Sequence, residues 1–233
     1  MSKYLERFPK RAFFPVIHVV DYEQAYRNTA IALDNGGDGV FLINHMSGGA
    51  KRLIEIYTRI RQQFDQEWIG LNFLGVKLED VFDLVPKDAN GLWTDTACIQ
   101  VENGKKQTRA ATFQLQRQYW DGIFFGGVNF KYRRSYNSDP FISAQLAMPY
   151  VDIITTSGEG TGFEPNLQKI QTMRSAIGNH PLANASGIDA KNIHKYLEYL
   201  DAFLVSTGIS IKNTDELDPV LTRQLADVIH QTA

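Results

Sequence analysis

The stretch DIITTSGEGTGFEPNLQKIQTMRSAIGNHPLANASGIDAKNIHKYLEYLDAFLVSTGIS, residues 152–210, decides the fold. It contains three apolar runs, and each run ends in small or hydroxyl residues followed by glycine. The runs with their following loops are DIITTSGEGTG at 152–162, PLANASGID at 181–189 and AFLVSTGIS at 202–210. Two segments with helical character, 166–177 and 189–199, separate these runs. The pattern therefore predicts a β-α-β-α-β unit with parallel strands.

Glycine directly after a buried strand lets a ligand approach the backbone closely. When three parallel strands end in this way, the free backbone N–H groups of their loops can converge on one anion. We expect this anion to be a phosphate, as in (β/α)8 barrels, where the loops after strands 7 and 8 hold phosphate. The three strands are then strands 6, 7 and 8. The predicted phosphate ligands are Gly160, Thr161, Gly162, Ser186, Gly187, Thr207 and Gly208.

The rest of the chain repeats the same alternation. Five strand-like runs precede residue 152, at 13–19, 40–45, 69–74, 91–95 and 122–128, and a helix-like segment follows each of them. About eight β-α units in strict alternation predict a single-domain (β/α)8 barrel over residues 1–233, with residues 1–12 as an N-terminal lead-in segment. A doubly wound open sheet is the alternative, but it normally places its glycine-rich phosphate loop after the first strand. Strand 1 here ends instead in HVVD, residues 18–21.

Composition limits the classes of partner. The 233 residues include 24 Lys and Arg against 26 Asp and Glu, a formal net charge of -2, which provides no basic field for nucleic acid or an anionic membrane. The single cysteine, Cys98, excludes an internal disulfide and a multi-cysteine metal site. The chain shows no signal-peptide pattern and no apolar run of roughly 20 residues. We therefore expect a cytoplasmic protein with no nucleic-acid or membrane partner, and a homo-oligomer stays open.

Polar residues near the strand ends are the candidates for chemistry. If the apolar side chains of strands 2 and 3 pack against the helices, beginning with Phe41 and Ile43, alternation turns the intervening residues into the barrel. Several buried polar groups together indicate a hydrogen-bonded network or a ligand cavity, because each costs roughly 1–3 kcal/mol without a partner. The predicted inward set is His18, Asn44, Asn72, Asp95 and Asn184, with His45 one step higher on the rim.

Each candidate has a structural alternative. An Asn at a strand end more often bonds local backbone than takes part in catalysis, and we interpret His18 as a hydrogen-bonded core histidine. His45 and Asp95 are the candidate general acid and base, and Asn44 and Asn72 complete the predicted catalytic set. A buried carboxylate such as Asp95 needs a charged partner, a proton or a metal.

A basic segment, NFKYRR at 129–134, follows strand 5. Its predicted role is to clamp a second anionic group of the substrate, with a solvated loop as the alternative, and its basic residues are Lys131, Arg133 and Arg134. No lysine stands at a predicted strand end, which argues against a Schiff-base aldolase. The sequence contains no Walker loop, zinc-helix motif or nucleophile elbow, so no metal site is predicted. A divalent metal ion or flavin mononucleotide remains open as a cofactor.

The motifs GDGVFLINH at 37–45, TTSGEGTG at 155–162, NASGI at 184–188 and VSTG at 205–208 resemble the BtpA/SgcQ family. Members of that family look like ribulose-phosphate-binding TIM barrels. The resemblance covers most of the chain and implies a barrel with a phosphate site. One branch of the family is associated with photosystem I biogenesis, another is labelled as nucleotide-processing, and most members have no established activity, so the resemblance implies the fold and the phosphate site more than a reaction.

Three functional hypotheses follow. The leading one is a phosphate-anchoring enzyme that acts on a phosphorylated sugar or a phosphoribosyl or nucleotide-type metabolite by general acid/base chemistry, as an isomerase, a lyase or a glycosyl-bond-processing enzyme. The second is a non-catalytic assembly, biogenesis or ligand-binding protein of the BtpA type. The third is a protein that binds flavin mononucleotide, whose phosphate would use the same loops.

Overall fold

A computed structural model describes residues 2–45, 47–102, 106–133 and 137–231. Eight parallel strands follow one another around a closed barrel, and the last strand pairs with the first. The predicted single-domain (β/α)8 barrel is confirmed. The strands are β1 (Ala12–Val19), β2 (Val40–Asn44), β3 (Ile69–Asn72), β4 (Gly91–Thr94), β5 (Ile123–Gly127), β6 (Ile153–Thr156), β7 (Leu182–Asn184) and β8 (Ala202–Val205).

Helices cover the outside of the barrel, apart from the first, which lies at one end, and several of them begin at residues that favour helix starts. Asp21, Asp139 and Asn166 each accept a hydrogen bond from the backbone N–H three residues further on, and Pro140 occupies the first helical position. The helices are α1 (Lys3–Arg7), α2 (Tyr22–Asp34), α3 (Gly49–Gln63), α4 (Leu78–Leu84), α5 (Thr108–Gln116), α6 (Pro140–Ala147), α7 (Leu167–Ile177) and α8 (Pro219–Gln231).

The predicted helix over 189–199 is wrong. This segment contains only a short 3-10 helix, Ile193–Lys195, between turns. Its apolar spacing is helical, but Asp189 and Asn192 bind nearby backbone groups with their side chains. The Asp189 carboxylate accepts from the N–H groups of Lys191 and Asn192, and the Asn192 amide donates to the Gly187 carbonyl. Such bonds compete with an α-helix and favour the tighter turn.

The barrel interior is filled by aromatic side chains. The centroid of the Phe41 ring lies 5.7 Å from that of Phe14 and 5.0 Å from that of Phe125. The Phe14 and Phe125 centroids are 5.7 Å apart. Since β1 and β5 lie on opposite sides of an eight-stranded barrel, these rings must point inward. The prediction that Phe41 and Ile43 face the helices is therefore wrong. Strand VFLIN is buried on both faces, so its pattern does not reveal which side is which.

The N-terminal lead-in segment closes one end of the barrel. Helix α1 places the Tyr4 ring 6.0 Å from that of Phe125, and the Phe8 ring lies 5.1 Å from that of Phe14. The Tyr4 hydroxyl donates to the Asp201 carbonyl at 2.7 Å. This plug seals the end where the strands begin, so the opposite end is left for binding.

Four polar side chains brace the same end of the barrel. Each stands one or two residues before an even-numbered strand, and its backbone N–H donates to a carbonyl at or near the start of the preceding odd-numbered strand. The residue that provides this carbonyl also donates its own N–H to the side-chain oxygen, so each pair is joined by two hydrogen bonds. The pairs are Asp38 with Phe13, Asn90 with Ile69, Asp152 with Phe124 and Asp201 with Leu182, with N···O distances of 2.7, 2.9, 2.8 and 2.8 Å.

A basic side chain from the surrounding helical layer meets each of these four oxygens. The partners, in the same order, are His230, Arg61, Arg117 and Arg174. Each brace thus ties a strand pair to the helices that cover it. The backbone groups that would otherwise be unpaired at the start of these strands are satisfied.

The braces predict a specific pattern of stability loss. Asp201→Ala should lower the free energy of unfolding by roughly 1.5–3 kcal/mol, because the Leu182 N–H and Arg174 both lose their acceptor. Asp201→Asn should cost clearly less, since Asn90 fills the same position with an amide oxygen. Urea denaturation of both variants and the parent at pH 7 measures the difference. Equal losses in the two variants would contradict the proposed role of the side-chain acceptor.

Candidate functional site

The loops at the carboxyl ends of the strands surround a small cavity of about 40 Å³. It lies where the loops after β6, β7 and β8 meet, which is the expected position of a barrel phosphate site. Six of the seven predicted phosphate ligands line it, namely Thr161, Gly162, Ser186, Gly187, Thr207 and Gly208. The seventh, Gly160, lies behind the cavity wall, where its carbonyl accepts a hydrogen bond from the Ser186 hydroxyl at 2.7 Å.

Two glycines allow these loops to pack against each other. Gly187 has a φ of 58°, and a Cβ atom there would lie 1.9 Å from the Phe163 carbonyl oxygen. A Cβ atom on Gly208 would lie 2.0 Å from the Ile188 carbonyl oxygen. The sequence argument assigned these glycines to the close approach of a ligand. In the structure, the closest neighbour is the backbone of the adjacent loop.

Backbone donors remain available around the cavity. Among the described residues, the N–H groups of Gly162, Gly187 and Gly208 have no backbone acceptor. Trp93 also lines the cavity, and its buried indole N–H lacks an acceptor within the described residues. An unpaired buried donor such as the Trp93 indole is rare in native proteins, and together with the three partly exposed loop amides it is suited to an anion.

Lys131 brings a positive charge to the cavity. It follows β5 by four residues, yet its side chain lines the cavity, with Nζ 3.5 Å from the Ala185 carbonyl oxygen. Burial lowers the pKa of Lys131, and the nearby Asp95 carboxylate opposes that shift. The lack of a lysine at a strand end therefore does not keep an amine out of the barrel mouth. Of the predicted second-anion clamp, Arg133 lines a different cavity and Arg134 lies outside the described residues.

His18 reaches the same cavity from the end of β1. Its ring stacks on that of His45, with centroids 4.2 Å apart and planes inclined by 5°, and its Nδ1 lies 3.5 Å from Asp215 Oδ1. Burial and the neighbouring His45 lower the pKa of His18 to about 4, against the opposing effect of Asp215. The imidazole is therefore neutral at pH 7. The sequence predicts that His18 points into the barrel, and the structure places it on the inward side of β1, at the cavity.

A larger cleft of about 850 Å³ opens beside the small cavity, between the loops after β3, β4 and β5. Asn72 and Asp95 meet there as the sequence suggested, with 3.4 Å between Asn72 Nδ2 and Asp95 Oδ1. Arg133 Nη2 lies 3.5 Å from the other Asp95 oxygen. Burial raises the pKa of Asp95, although Arg133 and Asn72 act in the opposite direction. A carboxyl group with a raised pKa is suited to proton transfer.

Two predicted inward residues point elsewhere. Asn44 uses its amide to bind the backbone of Leu74, accepting from the N–H at 2.7 Å and donating to the carbonyl at 3.3 Å. Asn184 donates to the Ser186 carbonyl at 2.6 Å, while its neighbour Ala183 packs inside the barrel. The inward prediction for these two residues is wrong. Both fix the loops that follow their strands.

Sequence reasoning missed other residues of the two cavities. Trp93 stands two residues before Asp95, so strand alternation could have placed it on the same inward face. Arg109 lines the large cleft from α5 and pairs with Glu79 at 2.5 Å. No sequence signal marks Arg109, because its position depends on how α5 packs over the loops. Within the described residues, no three His, Cys, Asp or Glu side chains are grouped to hold a metal ion, and no helix is long and apolar enough to span a bilayer.

Comparisons with known proteins show the fold. No protein-family model and no curated protein matches this sequence. Similar solved structures include phosphoribosyl anthranilate isomerase from Thermus thermophilus, with 14% identity, a TM-score of 0.63, and coverage of 94% of this chain and 99% of that one. KDPG aldolase from Legionella pneumophila has 12% identity, a TM-score of 0.63 and coverage of 97% and 96%. Mycobacterium tuberculosis tryptophan synthase has 14% identity, a TM-score of 0.63 and coverage of 98% and 98%. The chain shares their (β/α)8 barrel fold.

The lowered pKa of His18 predicts acid sensitivity. Because the unfolded chain binds a proton near pH 6.5 and the folded chain only near pH 4, stability is lost as the pH falls through this window. His18→Gln should remove up to about 3 kcal/mol of this pH dependence. Urea denaturation at pH 4.5 and 7.0 measures it, with the exposed His194→Gln as the control. An unchanged pH dependence in His18→Gln would show that folding does not lower the pKa of His18.

Proposed function

We propose that this protein is an enzyme that acts on a phosphorylated sugar or on a phosphoribosyl or nucleotide-type metabolite. The observation that carries the proposal is the convergence of three loops, with backbone donors that lack a backbone acceptor and one half-buried lysine, on a single small cavity. That cavity lies beside a cleft that contains a carboxyl group with a raised pKa. A binding site for the phosphate group next to a group that can transfer a proton is the arrangement expected of an enzyme that acts on a small phosphorylated substrate.

The phosphate end of the ligand is bound by backbone and Lys131. The N–H groups of Gly162, Gly187 and Gly208 donate to phosphate oxygens, and the Lys131 ammonium balances the negative charge. Burial disfavours that ammonium in the free protein. A bound anion removes this disadvantage, because an opposite charge nearby stabilises the charged form.

The reacting end of the ligand extends into the larger cleft. Asp95 accepts or donates the proton, since a carboxyl group with a raised pKa serves both functions better than an exposed one. Arg133 stabilises negative charge that develops on the substrate, and Asn72 orients the carboxyl group through its amide. His45, on the rim and stacked on His18, is the second group for proton transfer. Isomerisation or bond cleavage beside a hydroxyl or carbonyl group fits this set.

The resemblance to known families supports the same substrate class. We infer that the chain belongs with the ribulose-phosphate-binding barrels, and the motifs at 37–45, 155–162, 184–188 and 205–208 point within that group to BtpA/SgcQ. One structural neighbour is named as an isomerase of a phosphoribosyl compound. We propose a cytoplasmic protein with a phosphorylated small molecule as its partner. A non-catalytic protein that binds the same ligand is the alternative.

Binding should depend on Lys131. Lys131→Met should weaken the binding of ribose 5-phosphate by about 10- to 100-fold, because a charge-assisted hydrogen bond is worth roughly 1.5–3 kcal/mol. Lys87→Met, which removes an exposed lysine near the opposite end of the barrel, is the matched control. Isothermal titration measures both. Unchanged affinity in a Lys131→Met variant that melts normally would locate the phosphate elsewhere.

Turnover should depend on Asp95 and His45. Asp95→Asn and His45→Asn should each lower turnover by roughly 10²–10⁴-fold and leave phosphate-dependent binding largely intact. Asp80→Asn, which changes an exposed carboxylate on α4, is the control. Steady-state kinetics on a substrate from a screen of phosphorylated metabolites provides the measurement. Full turnover by either variant removes that residue from the mechanism, and no turnover by the parent on any compound favours the non-catalytic alternative.

A further inference from the structure

Two aromatic rings stand in solvent beside the loop that lines the small cavity, and one of them, Tyr132, also lines the larger cleft. Tyr132, after β5, is 77% exposed, and Phe163, after β6, is 65% exposed. Single exposed aromatic residues are common on protein surfaces and need no explanation. These two, however, border the same residue of the phosphate loop. A Cβ atom on Gly160 would lie 3.1 Å from the ring carbon Cδ2 of Phe163 and 3.4 Å from the Tyr132 hydroxyl oxygen.

The backbone of Phe163 is held on several sides. Its N–H donates to the Gly160 carbonyl at 3.2 Å, and its own carbonyl accepts from the Ser186 hydroxyl at 3.2 Å. Gly187 packs so closely on this carbonyl that a side chain there would overlap it. These contacts therefore fix the backbone position of Phe163, while most of the surface of its ring stays in contact with water.

Tyr132 is held by an unusual backbone conformation and by its hydroxyl. Its φ of 62° lies in the left-handed region, which costs free energy for a bulky residue. The hydroxyl accepts a hydrogen bond from the Thr161 N–H at 3.1 Å, so the ring spans from the loop after β5 to the loop after β6. Residues kept in such conformations concentrate at binding sites.

We propose that Tyr132 and Phe163 stack against a planar aromatic ring carried by the phosphorylated ligand. This inference rests on the proposed phosphate site and narrows its ligand to a phosphate ester that also carries an aromatic heterocycle. Thr161 and Gly162, which line the phosphate cavity, lie in the same loop as Gly160 and Phe163. A ligand anchored there by its phosphate therefore brings the adjoining part of the molecule to the two rings.

The chemistry of the two rings favours a heterocycle over a bare sugar. Sugar hydroxyl groups need hydrogen-bond partners, whereas the exposed faces of Phe163 and Tyr132 offer apolar surface and π-stacking. Because both backbones are held in place, the platform is formed before the ligand arrives, which reduces the entropy that binding must overcome. Both nucleoside monophosphates and flavin mononucleotide have the required chemistry.

The test compares three probes on the full chain: adenosine monophosphate, flavin mononucleotide and ribose 5-phosphate, which has the phosphate and no ring. At least one ring-bearing probe should bind about tenfold or more tightly than ribose 5-phosphate. Tyr132→Ala and Phe163→Ala should each weaken that probe by about 5- to 100-fold, the range for loss of one aromatic stacking partner. Ribose 5-phosphate should change by less than about twofold. Tyr119→Ala, which removes a ring that is 81% exposed after α5, should change nothing.

The outcomes separate this inference from the phosphate site. Equal affinity of the parent for all three probes would overturn the aromatic platform and leave the phosphate site standing. Equal weakening of all three probes in the Tyr132 and Phe163 variants would also overturn it, because the rings would then only cover the phosphate. If none of the three probes binds, the phosphate site fails and the platform fails with it. A selective gain for flavin mononucleotide, seen by its visible absorption, would support the platform and identify the heterocycle as a flavin.

Discussion

The hydrogen bond from a strand-start N–H to an Asp or Asn oxygen, repeated four times around the barrel, is the interaction on which the rest of the structure depends. A closed parallel barrel needs every strand in register, and parallel ladders contribute less per residue than antiparallel ones. The braces fix one strand against the next where the strands begin. Together with the aromatic core and the α1 plug, they make this end rigid. The opposite end can then carry unpaired polar groups without losing the fold.

The proposed phosphate cavity lies at the end of the barrel opposite the braces, where unpaired polar groups are tolerated. Its loops approach so closely that only glycine fits at two positions, and its donors are mainly backbone groups. Backbone donors lose no side-chain entropy on binding, so a site built from them is already arranged for an anion. Side chains add what the backbone lacks, namely a charged amine from Lys131 and, in the neighbouring cleft, a carboxyl group of raised pKa from Asp95.

The sequence predicted the barrel because the alternation of strand and helix is repeated eight times, so an error in one element does not change the fold. The sequence was less informative where one pattern of apolar residues is compatible with two different local structures. Strand VFLIN is apolar on both faces, and the wrong orientation of Phe41 carried over to Asn44. The segment 189–199 has helical spacing, but the side chains of Asp189 and Asn192 decide its backbone. The lowered pKa of His18 comes first from burial and then from its neighbour His45, and the stacking of two rings from different strands leaves no trace in a sequence.

Burial acts against charge at the mouth of the barrel. It lowers the pKa values of Lys131 and His18, and the buried indole N–H of Trp93 has no acceptor among the described residues. An anion beside these groups would accept a hydrogen bond from the Trp93 indole and favour the charged form of Lys131, because an opposite charge nearby stabilises an ammonium group. These groups lie far from the braces, so the cost of burying them stays local to the mouth of the barrel. The end of the barrel that carries the braces therefore holds the strands in register, which leaves the carboxyl-terminal end free to carry polar groups that only partly satisfy one another.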